Sequence, residues 1–447
     1  MPTITLMLLS IAALPLRAET LPQHAKHAAA KVIRDPTIEA NDGGAMEYVI
    51  GQSIFERIWV SAPSSTEAAD GLGPLFNARS CVACHPGGGR PLVLLDEQGI
   101  HPGLLARLGL ADGATDPVYG SQLQTDSVAG VPAEGRLHIE FDKSDVLLAD
   151  GNVVELRRPI ASVLDLGYGA MSPETLFGLR FAPAIHGIGP LDRVASADIA
   201  GAADPDDADG DGISGRVAWL DVDQTVLGRF GWKAVQPNLN AQNAHAFMGD
   251  LGLSTANFPD PHGECTMAEA ACREAPSGAS PQYEDLEVSP ILMAVLDRFV
   301  AEAVLPNGSP APDAAPAVRD RGRVLFTEAG CQACHRQSYE IVWPVDATAT
   351  RRISPYTDLL LHDMGDGLAE DLPEGAATGR EWRTAPLWGL RRSLDAAGQG
   401  ALLHDGRARS ILEAILWHGG EAQAARDHVG GLPAEDRAAL ISFLSSL

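Results

Sequence analysis

Two strings leave this chain little freedom: Cys81-Val-Ala-Cys84-His85 and Cys331-Gln-Ala-Cys334-His335. Two thiols at this spacing can each add across a vinyl group of one porphyrin, while the adjoining imidazole reaches its iron. Zinc sites and redox dithiols also use C-x-x-C. Zinc, however, needs a further ligand for each pair, and a thioredoxin-type dithiol needs a strand–helix setting that is absent here. The spacing therefore points to two covalently bound haem c groups. Cys81, Cys84, Cys331 and Cys334 are the expected attachment points, and His85 and His335 the proximal iron ligands.

The residues around the two motifs repeat one another. Gly51-Gln-Ser-Ile-Phe55 precedes the first and Gly322-Arg-Val-Leu-Phe326 the second, while Leu296-Asp-Arg-Phe299-Val300 and Leu440-Ile-Ser-Phe443-Leu444 close the two halves. Such self-similarity implies two modules of one helical plan. Met46, Val49, Ile50, Ile54, Phe55 and Ile58 recur at helical spacing within 44–60, and 288–305 reads as a second strong helix. Apolar alternation in 135–142 and 152–156 reads as strands. The expected fold is mainly α: two cytochrome c-like haem domains, the first with a long insertion containing short β-strands. The Pro/Ala/Gly stretch 306–316 marks the boundary. The expected division is a signal peptide over 1–18, an N-terminal haem domain over 19–305, a linker over 306–317 and a C-terminal haem domain over 318–447.

Thr3 to Leu14 is nearly all apolar or small and is followed by Pro15, Leu16, Arg17 and Ala18, the pattern of a secretory signal peptide. A periplasmic, exported protein is expected, since no later run approaches the ~20 apolar residues of a membrane span. With 33 Lys plus Arg against 59 Asp plus Glu, the net charge is −26. That excludes nucleic acid as a partner and suits a redox partner with a basic face. The two cysteines outside the motifs, Cys265 and Cys272, are expected to form a disulfide in an oxidising compartment; a reactive dithiol is the alternative.

Asp207, Asp209 and Asp211 alternate before Gly212, as in turns that aim carboxylates at one hard cation, so calcium is expected here. Ala218 stands where an EF-hand has its bidentate Glu, leaving Asp206 or Asp221 to complete the shell. Met364 is the candidate sixth ligand of the second haem, with His362 and His404 as rivals. For the first haem the candidates are His186, His138 and His101, or no ligand. Trp232, Trp382 and Trp388 suit either packing against porphyrin or electron relay, and Arg229, Arg383, Arg391 and Arg392 suit the propionates.

Several further strings occur in a particular order. They are 73–85 (GPLFNARSCVACH), the Asp-rich loop to Gly215-Arg216, 228–234 (GRFGWKA), 361–365 (LHDMG), 382–390 (WRTAPLWGL), 403–408 (LHDGRA) and His418-Gly-Gly-Glu421-Ala422. Together they resemble the bacterial di-haem oxidoreductases, a family labelled peroxidases or thiol oxidoreductases. More distantly, Thr384 to Ala414 is similar to the C-terminal part of di-haem cytochrome c peroxidases. The resemblance implies a high-potential haem passing electrons to a reactive haem, with peroxide or another small molecule as substrate. In the peroxidases the residue before the matching His-Asp/Asn-Gly is commonly a Met ligand; here it is Leu403, which cannot bind iron. No residue is assigned as the catalytic acid. A di-haem electron carrier without its own catalysis is the rival reading.

Overall fold

Glycines at matching points let two pairs of helices close onto each other. The computed structural model describes residues 32–38, 43–95, 99–305, 315–343, 348–395 and 398–447. The expected signal peptide and most of the expected linker lie outside these residues. The helices that frame the site are α1 (Gly44–Phe55), α2 (Cys81–Cys84), α3 (Leu239–Leu251), α4 (Pro290–Glu302), α5 (Pro316–Glu328), α6 (Ile411–Leu416) and α7 (Ala434–Leu444). Helix α1 crosses α4 at Gly51, where a Cβ would lie 1.9 Å from the Val295 carbonyl oxygen. Helix α5 crosses α7 at Gly322, where a Cβ would lie 2.1 Å from the Ala439 carbonyl oxygen. Beside each crossing the same ring pair recurs, Phe55 with Phe299 at 5.2 Å and Phe326 with Phe443 at 5.6 Å. The repeat legible in the sequence is thus a repeated helix crossing, with one apolar cluster built around each.

The crossing also decides which face of α1 is buried. Periodicity alone points Met46, Val49, Ile50 and Ile58 inward, yet these are exposed, and the buried side is Tyr48, Gly51, Ile54 and Phe55. Close approach of two backbones at a glycine outweighs the apolar count. Local signals place the ends of the other helices. Asn238 caps α3 through Ala241 N–H at 2.9 Å, and Pro290 follows the Ser289 cap of α4.

The expectation of a mainly α chain is overturned: the protein is 30% helical and 19% strand. Its strands form six two-stranded antiparallel sheets among the described residues. Those near the site are β1 (Leu104–Gly109), β2 (Arg136–Leu147), β3 (Val153–Leu164), β4 (Leu176–Phe181), β5 (Leu361–Asp363) and β6 (Glu381–Arg383), paired β1 with β4, β2 with β3 and β5 with β6. Long Gly- and Pro-rich connections cannot continue as helix. Short ladders satisfy their backbone polar groups instead, in the C-terminal part as well as in the insertion. The β2–β3 hairpin reaches the C-terminal residues. Its Arg157 Nε donates to Arg407 O at 3.1 Å, Ala149 N to Gly430 O at 3.1 Å, and Leu148 and Leu156 pack with Leu416. No helix among the described residues is long and apolar enough to cross a membrane.

Candidate functional site

Both Cys-x-x-Cys-His motifs open onto one continuous cavity of about 720 Å³. The first motif forms α2 and the second a short 3-10 turn, so in each the His follows a turn that presents both sulfurs. The two histidines are held alike. His85 Nδ1 donates to Pro183 O at 2.7 Å and His335 Nδ1 to Tyr356 O at 2.9 Å. Tyr356 takes a left-handed backbone (φ 56°) at this point, a strained conformation of the sort retained where geometry serves a site. A carbonyl acceptor on Nδ1 fixes the tautomer and leaves Nε2 with its lone pair, the arrangement found in metal-bound imidazoles. Burial holds both rings down at about 4, so they are neutral at physiological pH. Burial also pushes the thiols up, Cys81 to about 12 and Cys331 to about 11, with Cys84 and Cys334 raised too. An activated dithiol has the opposite signature.

The cavity wall meets the needs of a porphyrin carrying carboxylates. Arg90 and Arg383 both line it, Arg90 buried and Arg383 partly buried. Arg90 Nη2 donates to Leu403 O at 2.7 Å, its Nε has no partner, and burial lowers it to about 9. Arg383 donates only to the carbonyls of Gly231 and Thr384, and burial lowers it to about 10. Neither forms a salt bridge among the described residues, so each brings a positive charge to the cavity wall without a carboxylate beside it. Arg90 escaped the sequence reading although it follows the first motif directly, in His85-Pro-Gly-Gly-Gly-Arg90. Arg229, by contrast, is spent on the carbonyls of Asp192 and Val194 and lies off the cavity wall. Arg391 donates to the carbonyls of Leu394 and Asp395.

The candidate sixth ligands separate by their hydrogen bonds. His362 places Nε2 2.8 Å from Asp358 and Nδ1 2.7 Å from Glu421. Burial alone would lower it, but hydrogen bonding to Asp358, Cys334 and Glu421 raises it to about 12, which favours an imidazolium with both nitrogens donating. It therefore has no lone pair for iron, nor for a metal held with the neighbouring Cys334 and Asp358. Met364 lines the cavity, as does Leu403, the position at which the resemblance implies a Met. His404 stacks on Trp382 at 3.6 Å and is enclosed. His418, which the sequence reading left unassigned, lines the cavity with Nδ1 2.7 Å from Ala414 O, leaving Nε2 free as in His85 and His335. Its ring also acts electrostatically on His335. Among the first-haem candidates, His186 lines the cavity, whereas His138 lies off the wall beside Glu140 and His101 lies off it with Nδ1 accepting from Gly103 N.

Around the first motif the wall turns polar. The Asp250 carbonyl on α3 accepts from Asn77 and Ala78 N–H at 2.9 and 3.1 Å, which fixes this helix against the segment leading into α2. Its carboxyl, raised to about 6 by burial, accepts from Gln122. His245, also on α3, is lowered to about 4 by burial, and neither ring nitrogen has a hydrogen-bond partner among the described residues. Glu374 would be raised by burial, but Arg180 and Arg107 outweigh this and hold it at about 2. Arg180 bridges Glu370 at 2.6 Å and Glu374 at 2.8 Å, and the fully enclosed Lys233 stands 3.5 Å from Glu370. Lys233 also sits over the Trp382 indole, 3.7 Å from its centroid. A cation there opposes loss of an electron from that ring, so Trp382 suits packing better than relay. Trp232 and Trp388 also line the cavity. Because the enclosed Arg180 guanidinium holds two partly buried carboxylates, Arg180→Met is expected to lower unfolding stability by about 3 kcal/mol. Urea unfolding checks this value; an unchanged midpoint would refute it.

Asp207, Asp209 and Asp211 do converge, with carboxylate oxygens within 4.8 Å of one another. They are bound up in their own turn, since Asp207 accepts Gly212 N–H and Asp211 accepts Ile213 N–H. Asp221 likewise caps Thr225 and Val226. The sulfurs of Cys265 and Cys272 stand within bonding distance, with Cα atoms 6.0 Å apart.

Compared with known proteins, residues 122–447 match the family model described as "Di-haem oxidoreductase, putative peroxidase". No curated protein matches the chain. Among solved structures, hydrazine synthase of Kuenenia stuttgartiensis aligns over 98% of this chain and 99% of that one, at 11% identity and a TM-score of 0.36. A likeness that slight carries no argument.

Proposed function

The chain belongs to the di-haem oxidoreductase family, and from that premise we propose that it is an exported c-type peroxidase-like enzyme. In this reading each haem is attached through one Cys pair and ligated by His85 or His335. The observation that carries it is the pair of carbonyl-anchored histidines, each beside two thiols, facing one cavity with two arginines that form no salt bridge among the described residues. When bound, the haems supply redox electrons and an iron position at which peroxide can be reduced. The chain's own residues do the rest. Pro183 and Tyr356 orient the imidazoles, and Arg90 and Arg383 receive the propionates. His245, whose nitrogens have no hydrogen-bond partner among the described residues, accepts and returns a proton. Calcium at Asp207, Asp209 and Asp211, a disulfide between Cys265 and Cys272, and division into haem domains either side of 306–317 belong to the same proposal. The acidic surface suits a basic electron donor in the periplasm, with binding weakened by salt.

Electron paramagnetic resonance of the holoprotein, as isolated and after one-electron reduction, tests the enzyme reading. A high-spin ferric signal that peroxide removes is expected. Two low-spin signals indifferent to peroxide would make the protein an electron carrier. The sixth position near His335 has two contenders, Met364 as a thioether and His418 as an imidazole with free Nε2. Met364→Ala is expected to abolish a methionine-to-iron charge-transfer band and lower that haem's potential. If wild type shows no such band, and His418→Ala rather than Met364→Ala changes that haem's spin state and potential, the ligand is His418.

A further inference from the structure

Beside the haem cavity the chain carries a second pocket, of about 340 Å³, that none of the chemistry above uses. Its outer wall is the turn that follows β1, where Asp112, Gly113, Ala114 and Thr115 are exposed to solvent. The turn holds its own shape. Leu110 N donates to Ala114 O at 2.7 Å, and Asp112 Oδ1 accepts from Ala114 N at 3.0 Å. The facing wall is the turn at 372–375, where Glu374 N donates to Ala377 O at 3.0 Å. The two walls meet at Gly109, where a Cβ would lie 2.8 Å from Leu372 Cδ1.

Arg107 and Glu374 line this pocket and the haem cavity alike, so they form a wall common to the two spaces. Their hold on each other is loose: Arg107 Nε is 3.9 Å from Glu374 Oε1, beyond hydrogen-bonding distance. Glu374 is the fixed member, since its Oε2 accepts from Arg180 Nη2 at 2.8 Å. Arg107 is the adjustable one. Among the described residues its guanidinium makes one hydrogen bond, from Nη1 to Gln122 Oε1 at 3.0 Å, and its long side chain turns about several single bonds. The two side chains keep 12% and 20% of their surface exposed, as groups bordering open space do. On the cavity side both act electrostatically on His245, the residue to which the reading above gives the proton.

We propose that this second pocket is the vestibule through which a small uncharged hydrogen-bonding substrate, of the hydrogen peroxide class, enters the haem cavity, passing between Arg107 and Glu374. The proposal rests on the peroxidase-like reading and adds a route to it. The pair suits such a molecule. A guanidinium offers donors and a carboxylate offers acceptors, so a neutral molecule exchanges hydrogen bonds with both as it passes. An ion meets a like charge on one side and loses hydration on the way. The hydrogen bonds inside each turn oppose the widening that a bulky organic molecule would need.

The test uses the haem-loaded full chain with Thr115→Cys, a change at the exposed rim and off the haem cavity wall. With the motif cysteines held as thioethers and Cys265 bonded to Cys272, the new thiol takes a bulky maleimide after folding, and mass spectrometry counts the label. The probe is cyanide near neutral pH, where it is mostly uncharged hydrogen cyanide, small and polar like peroxide. Stopped-flow mixing with the ferric protein reads its association rate at the iron, and dilution of the complex reads its dissociation rate. Relative to the same chain unlabelled, the label is expected to slow both rates by about tenfold or more and to leave their ratio unchanged, because a blocked path does not alter its end states. Arg107→Ala, unlabelled, is expected to speed association. Rates indifferent to the label would overturn the proposal and leave the peroxidase-like reading standing. A label that weakens binding at equilibrium would also overturn it, since the label then acts on the iron's surroundings and not on the path. Association no faster in Arg107→Ala would overturn the passage beside that residue. If cyanide binds neither haem, no iron is open, and the enzyme reading falls together with the route.

Discussion

Changing Cys81 and Cys84 together to Ser is expected to halve the haem bound covalently per chain, from two to one, with the survivor on Cys331 and Cys334. The converse pair should give the same ratio. The pyridine haemochrome spectrum of acid-extracted protein, set against protein mass, reads the count. Two haems surviving in either variant would refute covalent attachment at these thiols, and zinc in place of haem in wild-type protein would revive the metal alternative. Stability should fall as well. An unfilled apolar cavity costs roughly 24 cal/mol per Å³. If only half of the 720 Å³ stays dry, the cost is still roughly 9 kcal/mol, comparable with the 5–15 kcal/mol that holds a whole domain folded. A variant that attaches one haem should therefore melt well below wild type. Among its first weakened regions should be the α1–α4 crossing, since Phe55 and Leu296 line the cavity.

What was legible in the sequence is what depends on neighbours along the chain. The two Cys-x-x-Cys-His strings are legible from their spacing, and the two helix crossings from a repeated Gly and Phe. Arg90, His245, His418 and Glu421 gain their roles only when distant segments meet. Glu421 neutralises His362 from 59 residues away, and this partnership turns an apparent iron ligand into an imidazolium. The His418-Gly-Gly-Glu421-Ala422 string was visible as a shared motif, but nothing local says that its His faces a cavity. Arg229 erred the other way. It resembles a propionate partner until backbone carbonyls of 192 and 194 are found to occupy it. The mixed helix and strand content was missed for a related reason. Two-residue to four-residue ladders such as β5 with β6 have no periodicity to detect, and their register is set by partners far along the chain.

His245→Gln is expected to lower peroxide turnover by about 10²–10⁴-fold while haem content and visible spectrum stay as in wild type. Peroxide reduction requires a group that takes a proton from the bound oxygen and delivers it to the departing one. The cavity wall carries Glu374, Asp250 and His245 among its titratable groups. Glu374, held at about 2 by Arg180 and Arg107, stays ionised and cannot deliver a proton at neutral pH. Asp250 is near 6 but accepts from Gln122 and stands beside the attachment thiols. His245 is neutral above about pH 4, and neither ring nitrogen has a hydrogen-bond partner among the described residues, so it can take up a proton and release it without breaking one of those bonds. The sign of the pH dependence follows. The imidazole works as a base only when unprotonated, so wild-type kcat/KM should fall as pH drops through about 4, and the Gln variant should lack that limb. Asp250→Asn should leave the limb in place. If His245→Gln instead converts a low-spin haem to high-spin, the residue is an iron ligand and its proton role is refuted. If turnover is unchanged, the proton travels by another route and the polar wall around α3 serves only to hold the haem's surroundings in place.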